Sequence, residues 1–270
     1  MIQNQIHFIS GLPRSGSTLL SAILRQNPAF HAAMSGPLCG MFVALQKSMG
    51  PRNEYSMFVD DEQRSRVLSG MVASYYQHLS QKSLIFDTNR AWTAHMSALA
   101  LLFPSARVIC CLRSPAWILD SVERRVQSAP FPVEKMFPGD SGENVYTRCE
   151  HLLKKGFLAA PLQNLRQAWF GENAHRLIAI RYNSLTEDAA GVIGRLYELL
   201  NQPPYPHDFE NVEYEASEFD EKLGMPGLHT VRRRVEVNRR ITILPSDLFQ
   251  PNDRSFWDVP GQNPRGVTIL

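Results

Sequence analysis

Short apolar runs alternate along the chain with longer stretches in which apolar residues return every three or four positions. The runs at 6–9, 29–34, 84–86, 107–112 and 176–180 predict strands. The run at 107–112 is apolar throughout after Arg107, as a central parallel strand is when both its faces are covered. The periodic stretches predict helices. The first carries Leu19, Leu20, Ile23 and Leu24 and ends at Pro28. A second spans 38–49 and stops at Gly50-Pro51, with a surface loop at 52–57 after it. Asp60, Asp61 and Glu62 open a long amphipathic helix at its positive end, and Val67, Met71, Tyr75 and Leu79 give it a buried face. Further helices are predicted over 92–103, stopped by Pro104, and from Pro115 to about 127. Two more cover 146–169, with a break near Pro161, and 186–200.

Two stretches lack this periodicity. Residues 129–144 hold three prolines, two glycines and both charge signs, which predicts a long loop or lid of the kind that is usually functional. From about 210 to 270 the pattern fades, and basic clusters appear at 232–234 and 239–240. Strands alternating with helices predict an α/β fold, a parallel sheet with helices on both faces, and 270 residues suit a single domain over 1–270. In such a sheet ligands sit outside the carboxyl ends of the strands. The segments after 6–9, 84–86, 107–112 and 176–180 therefore meet at one rim.

Composition narrows the picture by exclusion. With 44% apolar and 20% charged residues the chain is an ordinary globular one. A net charge of +2 gives no basis for a nucleic-acid partner or a membrane surface, and no apolar window is long enough for a membrane span. Residues 1–5 have no signal-peptide pattern. Cys39, Cys110, Cys111 and Cys149 show no metal spacing, and Cys110 and Cys111 read as core thiols. The expectation is a reduced, cytoplasmic protein that needs no metal. No feature of the chain signals an oligomeric state.

The chemistry concentrates between the first strand and the first helix, in Gly11-Leu12-Pro13-Arg14-Ser15-Gly16-Ser17-Thr18. Strand, glycine-framed turn and helix together cradle a phosphate, because backbone N–H groups and the helix dipole both favour an anion there. Gly11, Gly16 and Thr18 have Walker A spacing, but Ser17 holds the lysine position and the cation is Arg14. A guanidinium can fork across two oxygens, which suits a phosphate that carries a further oxyanion. This altered loop resembles the 5′-phosphosulfate loop of the PAPS-dependent sulfotransferases (PAPS is 3′-phosphoadenosine-5′-phosphosulfate), closest to their tyrosylprotein and related bacterial branch.

The resemblance implies a P-loop-type sheet and a sulfuryl transfer from PAPS to a hydroxyl acceptor, with PAP as product. It implies that Pro13, Arg14, Ser15, Gly16, Ser17 and Thr18 hold the phosphosulfate. Arg113 and Ser121, a strand-end arginine and a serine eight residues on, are similar to the family's grip on the 3′-phosphate. A dianion there needs a fixed cation and a hydroxyl donor. Tyr182, in Arg181-Tyr182-Asn183-Ser184-Leu185, is similar to a nucleotide-holding tyrosine, although Asn183 stands where relatives often carry an acid. The stretch 224–232 looks like the family's basic C-terminal closure, which implies Gly227, Leu228 and Arg232 near the 3′-phosphate and a segment 210–270 folded over the nucleotide.

The catalytic groups follow the family less well. Relatives place a lysine after the strand equivalent to 84–86, and this chain has Asp87-Thr88-Asn89-Arg90. Arg90 is the replacement cation, or Arg14 serves alone. The glutamate that tyrosylprotein relatives use after the second strand has no counterpart at 34–37, and Arg90 occupies the place of the cytosolic relatives' histidine. Asp87 and His95 remain as base candidates, Asp87 with a second reading as a structural acid paired with Arg90. Two other readings stand beside this one. A P-loop kinase would use Asp87 as a Walker B ligand to Mg²⁺, against which stands the missing loop lysine. A nucleotide-binding protein without catalysis would keep the pocket and lack the base. The acceptor class, whether peptide tyrosine, sugar, lipid or small molecule, is open at this level.

Overall fold

The computed structural model describes residues 5–128, 136–214, 216–222, 227, 229–261, 263 and 265–270. Six parallel strands form one sheet: β1 (Ile6–Gly11), β2 (Phe30–Ala32), β3 (Leu84–Thr88), β4 (Val108–Leu112), β5 (Leu177–Arg181) and β6 (Thr268–Ile269). Their order is β2-β3-β1-β4-β5-β6. The central strands are buried on both sides, which explains their uninterrupted apolar runs. Side chains alternate between the faces. Phe8, Val108, Cys110, Leu177 and Ala179 join one core, and Ile9, Ile109, Cys111, Ile178 and Ile180 join the other.

The first core lies under α2 (Leu38–Ser48), α3 (Asp61–Tyr75), α4 (Met96–Leu102), α5 (Pro115–Ser128), α6 (Val145–Lys154) and α7 (Ala159–Phe170). The second lies under α1 (Ser17–Leu24), α8 (Tyr182–Glu187) and α9 (Ala189–Leu199). Two short helices, α10 (Ser217–Lys222) and α11 (Ser246–Asn252), follow in the C-terminal part. The parallel sheet with helices on both faces is the predicted architecture.

Several local expectations need correction. The α3 face is shifted by one residue: Leu68, Val72 and Tyr76 are buried, while Val67 and Tyr75 are exposed. Both sets recur every four residues, so periodicity alone does not fix the phase. The start of α3 is as predicted, with Asp60 and Gln63 forming a capping box. Residues 54–58 form a 3₁₀ turn capped by Asn53. The break in the 146–169 region falls at 155–158, and Pro161 sits in the first turn of α7, where a missing N–H costs nothing. The stretch at 186–200 is divided, with Asp188 accepting the Gly191 N–H at the start of α9. Strand β6 had no sequence signal, since two residues cannot show a period. Of the 129–144 loop, residues 129–135 lie outside the described residues. Beyond them Phe137 is buried and a 3₁₀ turn spans Gly139–Gly142. No helix among the described residues is long and apolar enough to cross a membrane.

Candidate active site

Strand β1 has β3 on one side and β4 on the other, so the crossovers leave it in opposite directions and open a crevice at its carboxyl end. The loop 11–16 starts there. Gly11 has φ +123°, and a Cβ on it would lie 2.3 Å from the backbone oxygen of Cys111 on β4. Only glycine lets the loop leave the sheet this close to its neighbour. Arg14 also takes a left-handed conformation, φ 59°, unusual for a residue other than glycine and the kind of strain found at binding sites. Gly16, φ +98°, is the N-cap of α1 and offers no side-chain cap, and the first turn of α1 has no acid. The amides of that turn therefore face the crevice without a side-chain acceptor from the cap.

A cavity of about 780 Å³ opens at this rim. Pro13, Arg14, Gly16, Ser17, Thr18, Arg90, Arg113, Ser121, Tyr182 and Arg232 all line it. The Arg14 Nε donates to Ser121 Oγ at 3.2 Å, and Arg113 donates to the Arg14 carbonyl at 2.9 Å. The Arg113 guanidinium also lies 4.3 Å over the Tyr182 ring. Tyr182 in turn closes on the loop, where a Cβ at Gly16 would reach its ring at 2.9 Å. Residues from β1, β4, α5 and α8 thus interlock at one point. Ser15 plays another part: it is buried and donates to the Leu12 carbonyl, shaping the loop from inside.

Cations dominate the wall. Arg14, Arg90 and Arg113 are reached by water in the cavity yet hemmed in by protein, and reduced hydration lowers the pKa of each. Arg113 falls to about 10 through burial first, with the charges of Arg240 and Arg14 adding to it, so it stays cationic at neutral pH. Arg90 makes no ion pair among the described residues, and only its carbonyl is engaged, by Ser10 Oγ at 3.1 Å. Of the basic clusters at 232–234 and 239–240, the sequence resemblance placed Arg232 near the nucleotide and gave no position to the second cluster. Arg124, Arg125, Arg234 and Arg240 join the wall together with His229, Thr230 and Asn238. The fastening of this segment was missed. Asp120 of α5, 0% exposed, ion-pairs with Arg124 and Arg240 and accepts hydrogen bonds from Thr242 Oγ1 and the Ile243 N–H. A single aspartate on an amphipathic helix gives no sequence signal for that role.

The two base candidates are elsewhere. Asp87 is 1% exposed and does not line the cavity. Its oxygens accept from Tyr76 Oη at 2.5 Å and Trp92 Nε1 at 2.7 Å, so its structural partners are these two and not Arg90. Burial raises its pKa, against the effect of both hydrogen bonds. It faces Tyr76 and Trp92 rather than the cavity, so it is not placed to act on a ligand held there. His95 packs edge-on against Phe42 and Trp92, also away from the cavity, and burial lowers its pKa. Gly227, φ +73°, forms a turn beside Arg125 but does not itself line the wall, and Leu228 lies outside the described residues. Among the described residues no cluster of three or more His, Cys, Asp or Glu is placed to hold a metal.

The family model described as the sulfotransferase family matches residues 7–207 of this chain. The chain belongs to the sulfotransferase family. The match takes in the loop, Arg113, Ser121 and Tyr182 and ends before the 229–240 part of the cavity wall. Solved structures similar to this sulfotransferase include the sulfotransferase domain from the Synechococcus PCC 7002 olefin synthase (19% identity, 74% of each chain covered, TM-score 0.46). Others are the sulfotransferase domain from the curacin biosynthetic pathway (22%, 75% of each chain, TM-score 0.49) and a sulfotransferase from Alicyclobacillus acidocaldarius (12%, 80% of this chain and 88% of that one, TM-score 0.46). At these identities and TM-scores nothing about substrate or mechanism passes from them to this sulfotransferase. No curated protein sequence matches the chain.

Proposed function

We propose that this sulfotransferase moves the sulfuryl group of PAPS to a hydroxyl acceptor. The observation that carries the reading is the junction of Arg14, Ser121 and Arg113 at the open N-terminus of α1. It brings two anion-binding groups into one cavity. The first is the loop 13–18 with the amides of α1, which suits a phosphosulfate. The second is Arg113 with Ser121, which suits a separate phosphate. Tyr182, stacked on Arg113, supplies an aromatic surface between them. The cationic wall at 232–240 serves as the closure over the nucleotide, with Arg232 facing it.

Bound there, PAPS supplies an activated sulfuryl group. Arg14 lies within the loop that would hold that end, where its cation opposes the negative charge that grows as the leaving phosphate separates. Arg90 presents a second guanidinium to the same cavity, one with no ion pair among the described residues. A neutral part of the wall, with Met34, Ser35, Val122, Met136 and Phe157, forms the acceptor side. The donor set fits a nucleotide polyanion without a metal.

Calorimetry with PAP and ATP, with and without EDTA, tests the binding step. Micromolar or tighter PAP binding that ignores EDTA is expected, and Mg²⁺-dependent ATP binding without PAP binding would refute the reading. For the chemical step, Arg14→Ala is expected to lower kcat by roughly 10²-fold or more, and Arg14→Lys to recover part of the loss. A raised KM at unchanged kcat would assign Arg14 to binding alone.

A further inference from the structure

Asp87 and His95 stand away from the cavity, and among the described residues its wall holds two side chains able to accept a proton: Glu236, exposed and 3.8 Å from the Arg232 guanidinium, and the one histidine, His229. Its setting is specific. His229 Nδ1 lies 2.5 Å from Asp220 Oδ1, and the His229 backbone N–H donates to Asp220 Oδ2 at 2.9 Å. One carboxylate thereby fixes both the ring and the backbone that carries it. Asp220, on α10, is 1% exposed, and among the described residues it makes no other ion pair. The Phe219 ring packs against the imidazole at 5.6 Å.

A carboxylate bonded to Nδ1 holds that nitrogen protonated and leaves the Nε2 lone pair available, and it stabilises the imidazolium once a proton arrives. A structural histidine does not require a buried, otherwise unpaired acid behind it. His229 lines the same cavity as Arg14, Ser17 and Thr18 of the loop where the sulfuryl end is expected.

The geometry points to His229 as the general base of the reaction and Asp220 as the residue that positions it. This rests on the sulfotransferase reading above. In the step, His229 Nε2 takes the acceptor hydroxyl proton, the acceptor oxygen forms the new O–S bond, and the S–O bond to the 5′-phosphate breaks. PAP leaves with that electron pair, and the proton remains on the imidazole facing Asp220.

Three readouts test it. Long-range ¹H–¹⁵N NMR on the wild type is expected to show the His229 ring protonated at Nδ1, and Asp220→Asn to lose that fixed tautomer. In calorimetry, His229→Gln is expected to change PAP affinity less than about threefold, since the base acts on the acceptor. With ³⁵S-labelled PAPS, in water and with a panel of phenols, sugars and alcohols, His229→Gln is expected to lower kcat by roughly 10²–10⁴-fold. Asp220→Asn lowers it less, and the double variant no further than His229→Gln, because the pair acts as a unit. An Nε2-protonated ring in the wild type overturns the inference. So does a tenfold loss of PAP affinity in His229→Gln, which would make His229 a nucleotide ligand. Turnover by wild type and His229→Gln alike overturns the dyad only. Absence of PAPS turnover by the wild type overturns the sulfotransferase reading and the role of the dyad with it.

Discussion

Replacing Asp120 by Asn isolates the fastening that holds the C-terminal segment to the sheet domain. The carboxylate has four partners: Arg240 at 2.7 Å, Arg124 at 3.0 Å, Thr242 Oγ1 at 3.0 Å and the Ile243 N–H at 2.9 Å. Arg240 pairs with it by distance rather than as an aligned hydrogen bond. Breaking a buried ion pair costs about 3–5 kcal/mol when the remaining charge is stranded. Here the side chains of Arg240 and Arg124 are 22% and 35% exposed, so the stranded cations reach water. Asparagine also keeps an oxygen for Thr242 and Ile243. These two corrections bring the cost to about 2–3 kcal/mol. Asp120→Ala removes the oxygen as well and adds about 1 kcal/mol for each unsatisfied donor. Urea unfolding followed by circular dichroism gives the global cost, and hydrogen exchange at Ile243 shows whether the segment opens by itself. The pH dependence has a definite sign. Burial alone would raise the Asp120 pKa, but the Ile243 N–H, Arg124, Arg240 and Thr242 together bring it below the ordinary 3.8. The unfolded chain then binds more protons at acid pH, so this stabilisation is present above 3.8 and is lost as pH falls through the lower folded value. Wild type and Asp120→Asn therefore converge in strong acid. A cost under about 0.5 kcal/mol with unchanged protection at Ile243 would refute the reasoning, because a surface-like pair is worth that little.

Arg113→Ala is expected to weaken PAP by about 1.5–3 kcal/mol while barely affecting adenosine 5′-phosphosulfate, which lacks the 3′-phosphate; equal losses in calorimetry would make Arg113 a loop support acting through the Arg14 carbonyl. Gly11→Ala is expected to cost about 3 kcal/mol or more in unfolding free energy, since its Cβ meets the Cys111 backbone and its φ is left-handed; a Tm within a degree of wild type would contradict the contact. His7 is buried and accepts the Arg107 N–H at 3.0 Å, and burial first, then the Arg107 charge, bring its pKa down from 6.5 to about 4. Between those values the unfolded chain binds the extra proton, so stability rises with pH across this window, by up to about 3 kcal/mol, and His7→Gln is expected to flatten that part of the curve.

The sequence by itself determined the elements that rest on local rules. Continuous apolar runs identify strands covered on both faces, Pro28, Pro104 and Pro115 bound helices, and the alternation of the two dictates a parallel sheet. Gly11, Arg14, Gly16 and Thr18 are legible as one glycine-framed loop between a strand and a helix because near-consecutive residues make it. Arg113 and Ser121 are legible because both lie on one strand–helix unit at fixed spacing. What tertiary structure decided is what depends on residues far apart in the chain. The buried phase of α3 depends on which four-residue stripe meets the sheet, and that choice sends Tyr76 to Asp87. Asp87 carries no mark in the sequence that its oxygens are already taken by Tyr76 and Trp92. The arginines at 232–240 are a charge cluster until Asp120, more than a hundred residues earlier, anchors their segment at the cavity. His229 is an ordinary histidine in an aperiodic stretch until Asp220 turns its ring. Local chemistry is written in short spacings, whereas the partners of a buried carboxylate are settled only when folding removes water and brings distant donors within reach.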